Sequence, residues 1–215
     1  MIKFLVVRHG QSVANEKEIF AGVSNVELTN IGIQQAELAC NYLLDNFTID
    51  AVYASELQRA RNTVKKISDT LNIPLGTLPC FNEVNGGVWE GVNFHEIYKI
   101  YTQDFTSWLT DIVNTRCTGG ESFKEASLRV YNGLVELAKN PENDAKTIVI
   151  GAHACIIRAL LYKVMNLTDE ECNKMGWVPN ASTTTIIYDN GKFEVTELGY
   201  NGYLGDLKTQ LPKHV

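Results

Sequence analysis

Two patterns of hydrophobic and polar residues alternate along the chain. Residues 2–7 form a short run of mainly β-branched and aromatic side chains, which predicts a buried strand. Residues 30–46 instead place apolar side chains three or four positions apart, which predicts a helix that Thr29 is suited to cap. The same patterns predict strands at residues 50–54, 146–151, 183–188 and 192–198, helices at residues 57–71, 122–139 and 155–165, two further helices within residues 94–113, and a loop or small cap at residues 72–93.

The order of these elements predicts an α/β domain. Strands that alternate with helices favour a mostly parallel central sheet with helices on its faces. We predict a single domain over residues 1–215, with a small cap or insert around residues 80–120.

Polar residues follow several of the predicted strands. Arg8 and His9 come after the first strand, Ser55 after the second, and His153 after the strand at residues 146–151. In open α/β sheets, ligands bind beyond the carboxyl ends of the strands. We therefore expect these separated residues to meet in one cleft.

The composition limits the classes of partner. A net charge of −6 without any run of lysine or arginine argues against a nucleic-acid partner, because nucleic-acid binding needs a basic surface. A small anionic substrate remains compatible, since a few local arginines reverse the potential within one cleft. The apolar run at the N-terminus is too short for a signal peptide, and no stretch approaches the roughly 18 apolar residues that span a bilayer. Five cysteines without a CxxC pair indicate free thiols in a reducing compartment, so we expect a cytoplasmic protein without a membrane partner.

The sharpest local feature is the tripeptide Arg8-His9-Gly10. A single histidine near a strand end is more often structural than catalytic, but its neighbours favour anion chemistry. Arg8 offers a planar fork for phosphate oxygens, and Gly10 lets the backbone approach an anion closely. Ser12 and Asn15 add short polar side chains in the loop that follows.

A second cluster, at residues 55–63, begins a predicted helix just after a strand. The free N–H groups at such a helix start favour anions, and Arg59 lies within about the first turn. The alternative is a solvated helix face, which suits Arg61 better. His153 repeats the strand-end position of His9, although on local evidence alone a buried structural histidine is the better interpretation.

Taken together, these segments resemble the histidine phosphatase superfamily, branch 1, which includes cofactor-dependent phosphoglycerate mutases and many small phosphatases. The resemblance covers nearly the whole chain and implies the phosphoglycerate mutase-like fold, a three-layer sandwich. The matches are the RHG motif at residues 8–10 with Asn15 after it, the entry of the first helix at residues 28–36, the second motif at residues 55–63, the acid-bearing loop at residues 82–91, Gly120-Glu121-Ser122 before a helix, and the late His153.

This resemblance implies a phosphomonoester hydrolase that acts on a small phosphorylated metabolite, without a metal or other cofactor. His9 would be the nucleophile and become a phosphohistidine, which suits a neutral imidazole at physiological pH. Glu83 would protonate the leaving alkoxide and later activate water. The remaining residues implied to bind the phosphoryl group or the substrate are Arg8, Asn15, Gly22, Arg59 and His153. A homodimer is expected only by family analogy.

Two segments depart from the family pattern. Ala152-His153-Ala154-Cys155 stands where Ser-His-Gly-Gly is usual, which adds side-chain bulk beside the late histidine. The acid loop around Glu83 is looser than usual, so Glu90 is the alternative acid, although its place after Trp89 suits a structural role better.

The strongest rival activity is that of a phosphoglycerate mutase. The chain is somewhat short for one and lacks the basic, proline-rich insertion that the mutases carry after the acid loop. Residues 94–113 are aromatic-rich instead; by default those rings pack the core or the cap, with one or two lining the substrate pocket. We therefore favour hydrolysis, and a non-catalytic phosphate-binding module is the minority alternative because every proposed catalytic side chain is present.

Overall fold

A six-stranded sheet forms the centre of the computed structural model, which describes residues 1–210. Its strands are β1 (Ile2–Arg8), β2 (Ala51–Ala54), β3 (Leu75–Thr77), β4 (Thr147–Ala152), β5 (Thr183–Asp189) and β6 (Lys192–Tyr200). They lie in the order β3-β2-β4-β1-β5-β6, with the first four paired in parallel and β5 antiparallel to both of its neighbours. The predicted mostly parallel sheet is confirmed. The prediction for residues 72–93 was wrong in one part, because that segment contains β3 and adds a strand to the sheet edge.

Helices cover both faces of the sheet. They are α1 (Val13–Glu16), α2 (Asn30–Asn46), α3 (Gln58–Leu71), α4 (Phe94–Ile100), α5 (Thr102–Thr110), α6 (Phe123–Lys139), α7 (Ala154–Val164) and α8 (Asp169–Lys174). Alternate side chains of β1 point to opposite faces. Leu5 and Val7 pack in the core formed with α2 and α3, whereas Phe4 and Val6 pack in the core that contains α6 and α7. This arrangement is the predicted three-layer sandwich.

Local capping explains where several of these helices begin. The Thr29 hydroxyl accepts a hydrogen bond from the backbone N–H of Gly32 at 3.0 Å, as its position before the apolar pattern predicts. Ser122 and Glu125 form a reciprocal capping box at the start of α6. The short helices α1 and α8 were not predicted, because four and six residues give too little periodicity to read.

The segment between β3 and α6 carries an aromatic cluster. The two helices predicted within residues 94–113 are present as α4 and α5. Trp89 and Phe105 are almost fully buried and pack edge to face, with ring centroids 5.6 Å apart. This cluster belongs to the same core as α6 and α7. The single-domain organisation stays a prediction, and residues 211–215 of that domain lie outside the described residues.

None of the helices within residues 1–210 has the length and apolar character that crossing a bilayer requires. The five cysteines are all free thiols.

Candidate active site

The parallel pairing of β1 with β4 brings two distant histidines together. Arg8 pairs with Ala152 in the sheet register, and the His9 backbone N–H donates to the Ala152 carbonyl at 3.0 Å. His9 and His153 therefore leave the carboxyl ends of neighbouring strands side by side, with ring centroids 5.2 Å apart. The Ser55 hydroxyl, at the end of β2, lies 2.7 Å from His153 Nε2. The expected meeting of strand-end residues at one edge of the sheet is confirmed, but only Arg8 and His9 line the cleft, while Ser55 and His153 are fully buried.

The His9 ring has a defined tautomer. Its Nδ1 lies 2.7 Å from the Gly10 carbonyl, which only accepts hydrogen bonds, so Nδ1 carries the proton and Nε2 the lone pair. Burial, assisted by the positive charges of Arg59 and Arg8, lowers the pKa of His9 well below its ordinary value. The imidazole is therefore neutral near pH 7 and keeps a nucleophilic nitrogen.

Two buried arginines give the site its positive charge. Arg8 Nη1 donates to the Val178 carbonyl at 2.6 Å, while Arg8 Nε has no partner among residues 1–210. Arg59 is 1% exposed, and its guanidinium donates to three backbone carbonyls at 2.8–2.9 Å, those of Ala21, Gly22 and Ser24. Desolvation by burial lowers the pKa of each arginine to about 10, which leaves both of them charged at neutral pH. Buried cations of this kind are relieved by an anion.

Glu83 is a buried carboxyl group beside these cations. Its two oxygens accept backbone hydrogen bonds from Val84 at 2.9 Å and from Cys155 and Ile156, at the N-terminus of α7, at 3.1 Å. Burial raises the pKa of Glu83 above its ordinary value, although these bonds and the two arginines oppose the shift. The protonated form therefore persists to higher pH than in water, as a general acid requires.

Glu90 has a different environment from Glu83. It does not line the cleft, and its carboxylate accepts from the backbone N–H groups of Val23, Ser24 and Gly86 at 2.8–3.0 Å. These bonds hold the loop whose carbonyls fix the Arg59 guanidinium. The geometry thus gives Glu90 a structural role and leaves Glu83 as the candidate acid.

The residues predicted to contact substrate separate into two groups. Arg8, Asn15 and Arg59 line one cleft together with His9 and Glu83. His153 and Gly22 lie outside that lining. His153 is fully buried behind His9, and its Nδ1 has no partner within the described chain. The Gly22 carbonyl accepts from Arg59, and a Cβ on Gly22 would lie 2.0 Å from the Val84 carbonyl, so its place is set by packing.

The alanine that adds bulk beside His153 is accommodated by the backbone. Ala154 is the first residue of α7, a helical position that does not require glycine. Ala154 and Cys155 both line the cleft. The departure from Ser-His-Gly-Gly therefore narrows the cleft without closing it.

Sequence reasoning missed Asn180, which is 3% exposed. Its Nδ2 donates to the His9 carbonyl at 3.2 Å and to Asn15 Oδ1 at 3.1 Å, so it ties the first loop to the chain before β5. No motif surrounds Asn180, and the contact spans 171 residues. Only the fold reveals it.

Comparisons with known proteins agree with this geometry. The model of the histidine phosphatase superfamily (branch 1) matches residues 4–201. The chain is 26% identical to phosphoserine phosphatase 1 of Hydrogenobacter thermophilus over 215 residues, which is 100% of both proteins. It is 32% identical over 200 residues to a 2,3-bisphosphoglycerate-dependent phosphoglycerate mutase of Cytophaga hutchinsonii, covering 91% of this chain and 92% of that protein.

A solved structure shares the fold closely. The mycobacterial glucosyl-3-phosphoglycerate phosphatase in complex with VO3 superposes with a TM-score of 0.82 at 25% identity, covering 90% of this chain and 96% of that one. The family and the phosphoglycerate mutase-like fold predicted from the motifs are both confirmed.

Proposed function

The chain belongs to the histidine phosphatase superfamily (branch 1) as a phosphomonoester hydrolase, and we propose that it works through a phosphohistidine formed on His9. The observation that carries this proposal is the state of the His9 ring. It is neutral, its Nδ1 proton is held by Gly10, and it shares one cleft with two arginines and a protonatable carboxyl group.

The proposed reaction has two steps. His9 Nε2 attacks the phosphorus atom while Glu83 gives its proton to the ester oxygen, so the P–O bond breaks and the alcohol leaves. Ionised Glu83 then takes a proton from water, which attacks the phosphohistidine and releases inorganic phosphate. Arg8 and Arg59 balance the charge on the phosphoryl oxygens in both steps, and the buried His153 ring packs beside His9.

The lining of the cleft supports hydrolysis over mutase activity. A mutase that uses a bisphosphorylated primer has to hold two phosphate groups at once. Among the described residues that line the cleft, the cations are Arg8 and Arg59, and both are used at the phosphoryl group. A second phosphate would therefore lose its water without gaining a counter-charge, which is costly.

The test compares the wild-type protein with His9→Ala on 4-nitrophenyl phosphate in the presence of a metal chelator. We expect turnover to fall on the order of 10³-fold or more, as for removal of other nucleophiles. After reaction with a ³²P-labelled ester and quenching, the wild type should carry a base-stable, acid-labile label that the variant lacks. His95→Ala is the matched control, because His95 lies exposed on α4 and should leave both readouts unchanged.

Two results would overturn the proposal. One is wild-type turnover in His9→Ala. The other is efficient conversion of 3-phosphoglycerate to 2-phosphoglycerate with a bisphosphoglycerate primer and without net phosphate release, which would identify a mutase. The cytoplasmic location and the homodimer stay predictions; five free thiols agree with the first.

A further inference from the structure

The part of the cleft that the phosphoryl chemistry does not use is aromatic. Four rings line it, which we call the aromatic wall: Phe20, Phe94, Trp108 and Trp177. Ile19 and Val84 extend this apolar lining. Phe20 and Trp108 are almost fully buried, whereas Phe94 and Trp177 are partly exposed to the cleft.

The aromatic wall is held in place from behind. Phe20 packs edge to face against Phe94 and Trp108, with centroids 6.1 and 5.8 Å away. Trp177 stacks on Trp108, with ring centroids 6.4 Å apart. The Arg158 guanidinium lies 4.7 Å from the Trp177 ring centroid, which is a cation–π contact. Arg158 is itself fixed by hydrogen bonds to the carbonyls of Cys172 and Asn173. A surface fixed in this way binds a ligand without a large ordering cost.

The uncharged polar side chains of the cleft already have hydrogen-bond partners. Ser12 and Asn15 bond to each other in the cap of α1, and Asn15 also accepts from Asn180. Within the described lining, Arg8 and Arg59 serve the phosphoryl group, and Glu83 is the single carboxyl. A leaving group that carried a carboxylate would meet apolar rings and no free cation, and burying an unpaired charge is strongly unfavourable.

From these observations we propose that the alcohol part of the substrate is an uncharged, flat, apolar group, an aryl or arylalkyl alcohol, seated on the aromatic wall. The inference rests on the proposed function, because it assumes that the phosphoryl group lies at His9. Small-molecule sites are concave and lined mainly by hydrophobic and aromatic side chains, as this part of the cleft is. Offset and edge-to-face contacts between rings add to the burial of apolar area.

The test uses three alkyl esters with related leaving groups: 2-phenylethyl phosphate, ethyl phosphate and 2-carboxyethyl phosphate. For the wild type we expect kcat/KM to be on the order of 10-fold or more higher for the phenylethyl ester than for the ethyl ester, as hydrophobic pockets achieve. The carboxyethyl ester should be the poorest of the three.

Variants of the aromatic wall then separate binding from structure. Trp177→Ala and Phe94→Ala should each lower kcat/KM for the phenylethyl ester on the order of 10-fold, mainly through KM, and leave the ethyl ester within about twofold. Trp177→Phe, which keeps an aromatic ring, should retain most of the selectivity. It replaces the alanine variant in the test if that variant does not fold. Tyr98→Ala is the matched control, because Tyr98 is 48% exposed on α4 and lies outside the cleft.

The outcomes distinguish the two proposals. A wild type that hydrolyses the ethyl ester but shows no preference for the phenylethyl ester, or that prefers the carboxyethyl ester, overturns the substrate class alone. Equal losses on the phenylethyl and ethyl esters in a folded Trp177→Ala would also overturn it, since the ring would then be structural. Failure to hydrolyse any ester, 4-nitrophenyl phosphate included, would remove the proposed function itself.

Discussion

The two halves of the cleft are built in different ways. Backbone pairing positions the catalytic half: His9 and His153 leave adjacent parallel strands, and the hydrogen bond from the His9 backbone to Ala152 fixes their separation. Side-chain packing completes the aromatic half, where Trp108 from α5 meets Phe20 and Trp177 through their rings. Backbone hydrogen bonds of 2.9 Å also hold Phe20 to Val92 and Phe94 to Glu18. Topology sets the first half, whereas the second also depends on the side chains that form it.

The two halves also differ in their electrostatics. The catalytic half buries two arginines against one carboxyl group, and desolvation lowers the pKa of both arginines to about 10. The aromatic half contributes no charged group to the cleft within the described residues. Charge therefore draws the phosphate to one end, while shape and apolar area select the group at the other. Variants that act on one half should leave the signature of the other half unchanged.

The largest expected effect that tests this separation is at Glu83, where the halves meet. Glu83→Gln cannot donate a proton, so kcat for ethyl phosphate should fall by about 10²- to 10⁴-fold. With 4-nitrophenyl phosphate, whose leaving group needs little protonation, the first step should survive while water attack slows. Rapid-quench measurements should then show a burst of nitrophenol and accumulation of the phosphoenzyme.

The pH profile of activity tests the direction in which the pKa of Glu83 is shifted. Because burial raises the pKa of Glu83, the active protonated acid is lost only as pH rises through that elevated value, which produces the alkaline limb for alkyl esters. Because the pKa of His9 is lowered, its nucleophilic form persists well below pH 6.5. The alkaline limb should disappear in Glu83→Gln and remain in Glu90→Gln. Both variants are measured with the same ester, so that the titration of the ester's phosphate group affects them equally. The reverse pattern would assign the acid to Glu90.

The catalytic half could largely be predicted from the sequence, for a physical reason. Strand-end placement is local information, and a parallel sheet brings such ends to one edge, so Arg8, His9, Ser55 and His153 were expected to meet. Gly22 lies outside the residues that line the cleft, and its carbonyl accepts from Arg59, so its contact with substrate stays a prediction. Asn180 gave no local signal, since its partners in the site, His9 and Asn15, lie more than 160 residues away.

The aromatic half could not be predicted to the same extent. The sequence shows an aromatic-rich stretch at residues 94–113 but not which rings face the cleft. The chain breaks between α4 and α5 at Tyr101, whose ψ of 44° lies outside helical geometry, so one helical period does not extend across the stretch. Phe94 and Trp108 consequently line the cleft, whereas Phe105 turns into the core.

A smaller effect is expected where the loop that carries Glu83 is held from outside. Arg129 donates from Nη1 to the carbonyls of Cys80 and Asn82 at 2.8 and 3.0 Å, and forms a two-pronged ion pair with Glu121. Arg129→Met should lower kcat for ethyl phosphate on the order of 10-fold at unchanged KM, because misplacing an acid weakens its proton transfer. Steady-state kinetics over pH would show the alkaline limb displaced rather than lost.

The control for Arg129 is Arg61→Met, which removes an arginine from α3 that bonds the Thr77 hydroxyl instead of the acid loop. Its kinetics should match the wild type. Arg129→Lys keeps the charge but loses the two-pronged geometry and should recover only part of kcat. A rise in KM with kcat preserved would contradict a positioning role for Arg129.

The smallest effect tests whether the aromatic half can be loosened without touching the chemistry. Phe105 is 1% exposed, packs edge to face on Trp89 and stacks on Phe94 at 6.1 Å, but does not line the cleft. Phe105→Leu should lower the free energy of unfolding by about 1–2 kcal/mol, or Tm by roughly 2–8 °C for a chain of this size. Thermal unfolding measures this loss, and Leu109→Ala, on the exposed side of α5, should change Tm far less.

Turnover of ethyl phosphate by Phe105→Leu should stay within about twofold, because the strands and not the rings hold His9 in place. An equal fall in ethyl phosphate and phenylethyl phosphate turnover would mean that packing in the aromatic half also sets the catalytic geometry, and the two halves would then be one unit.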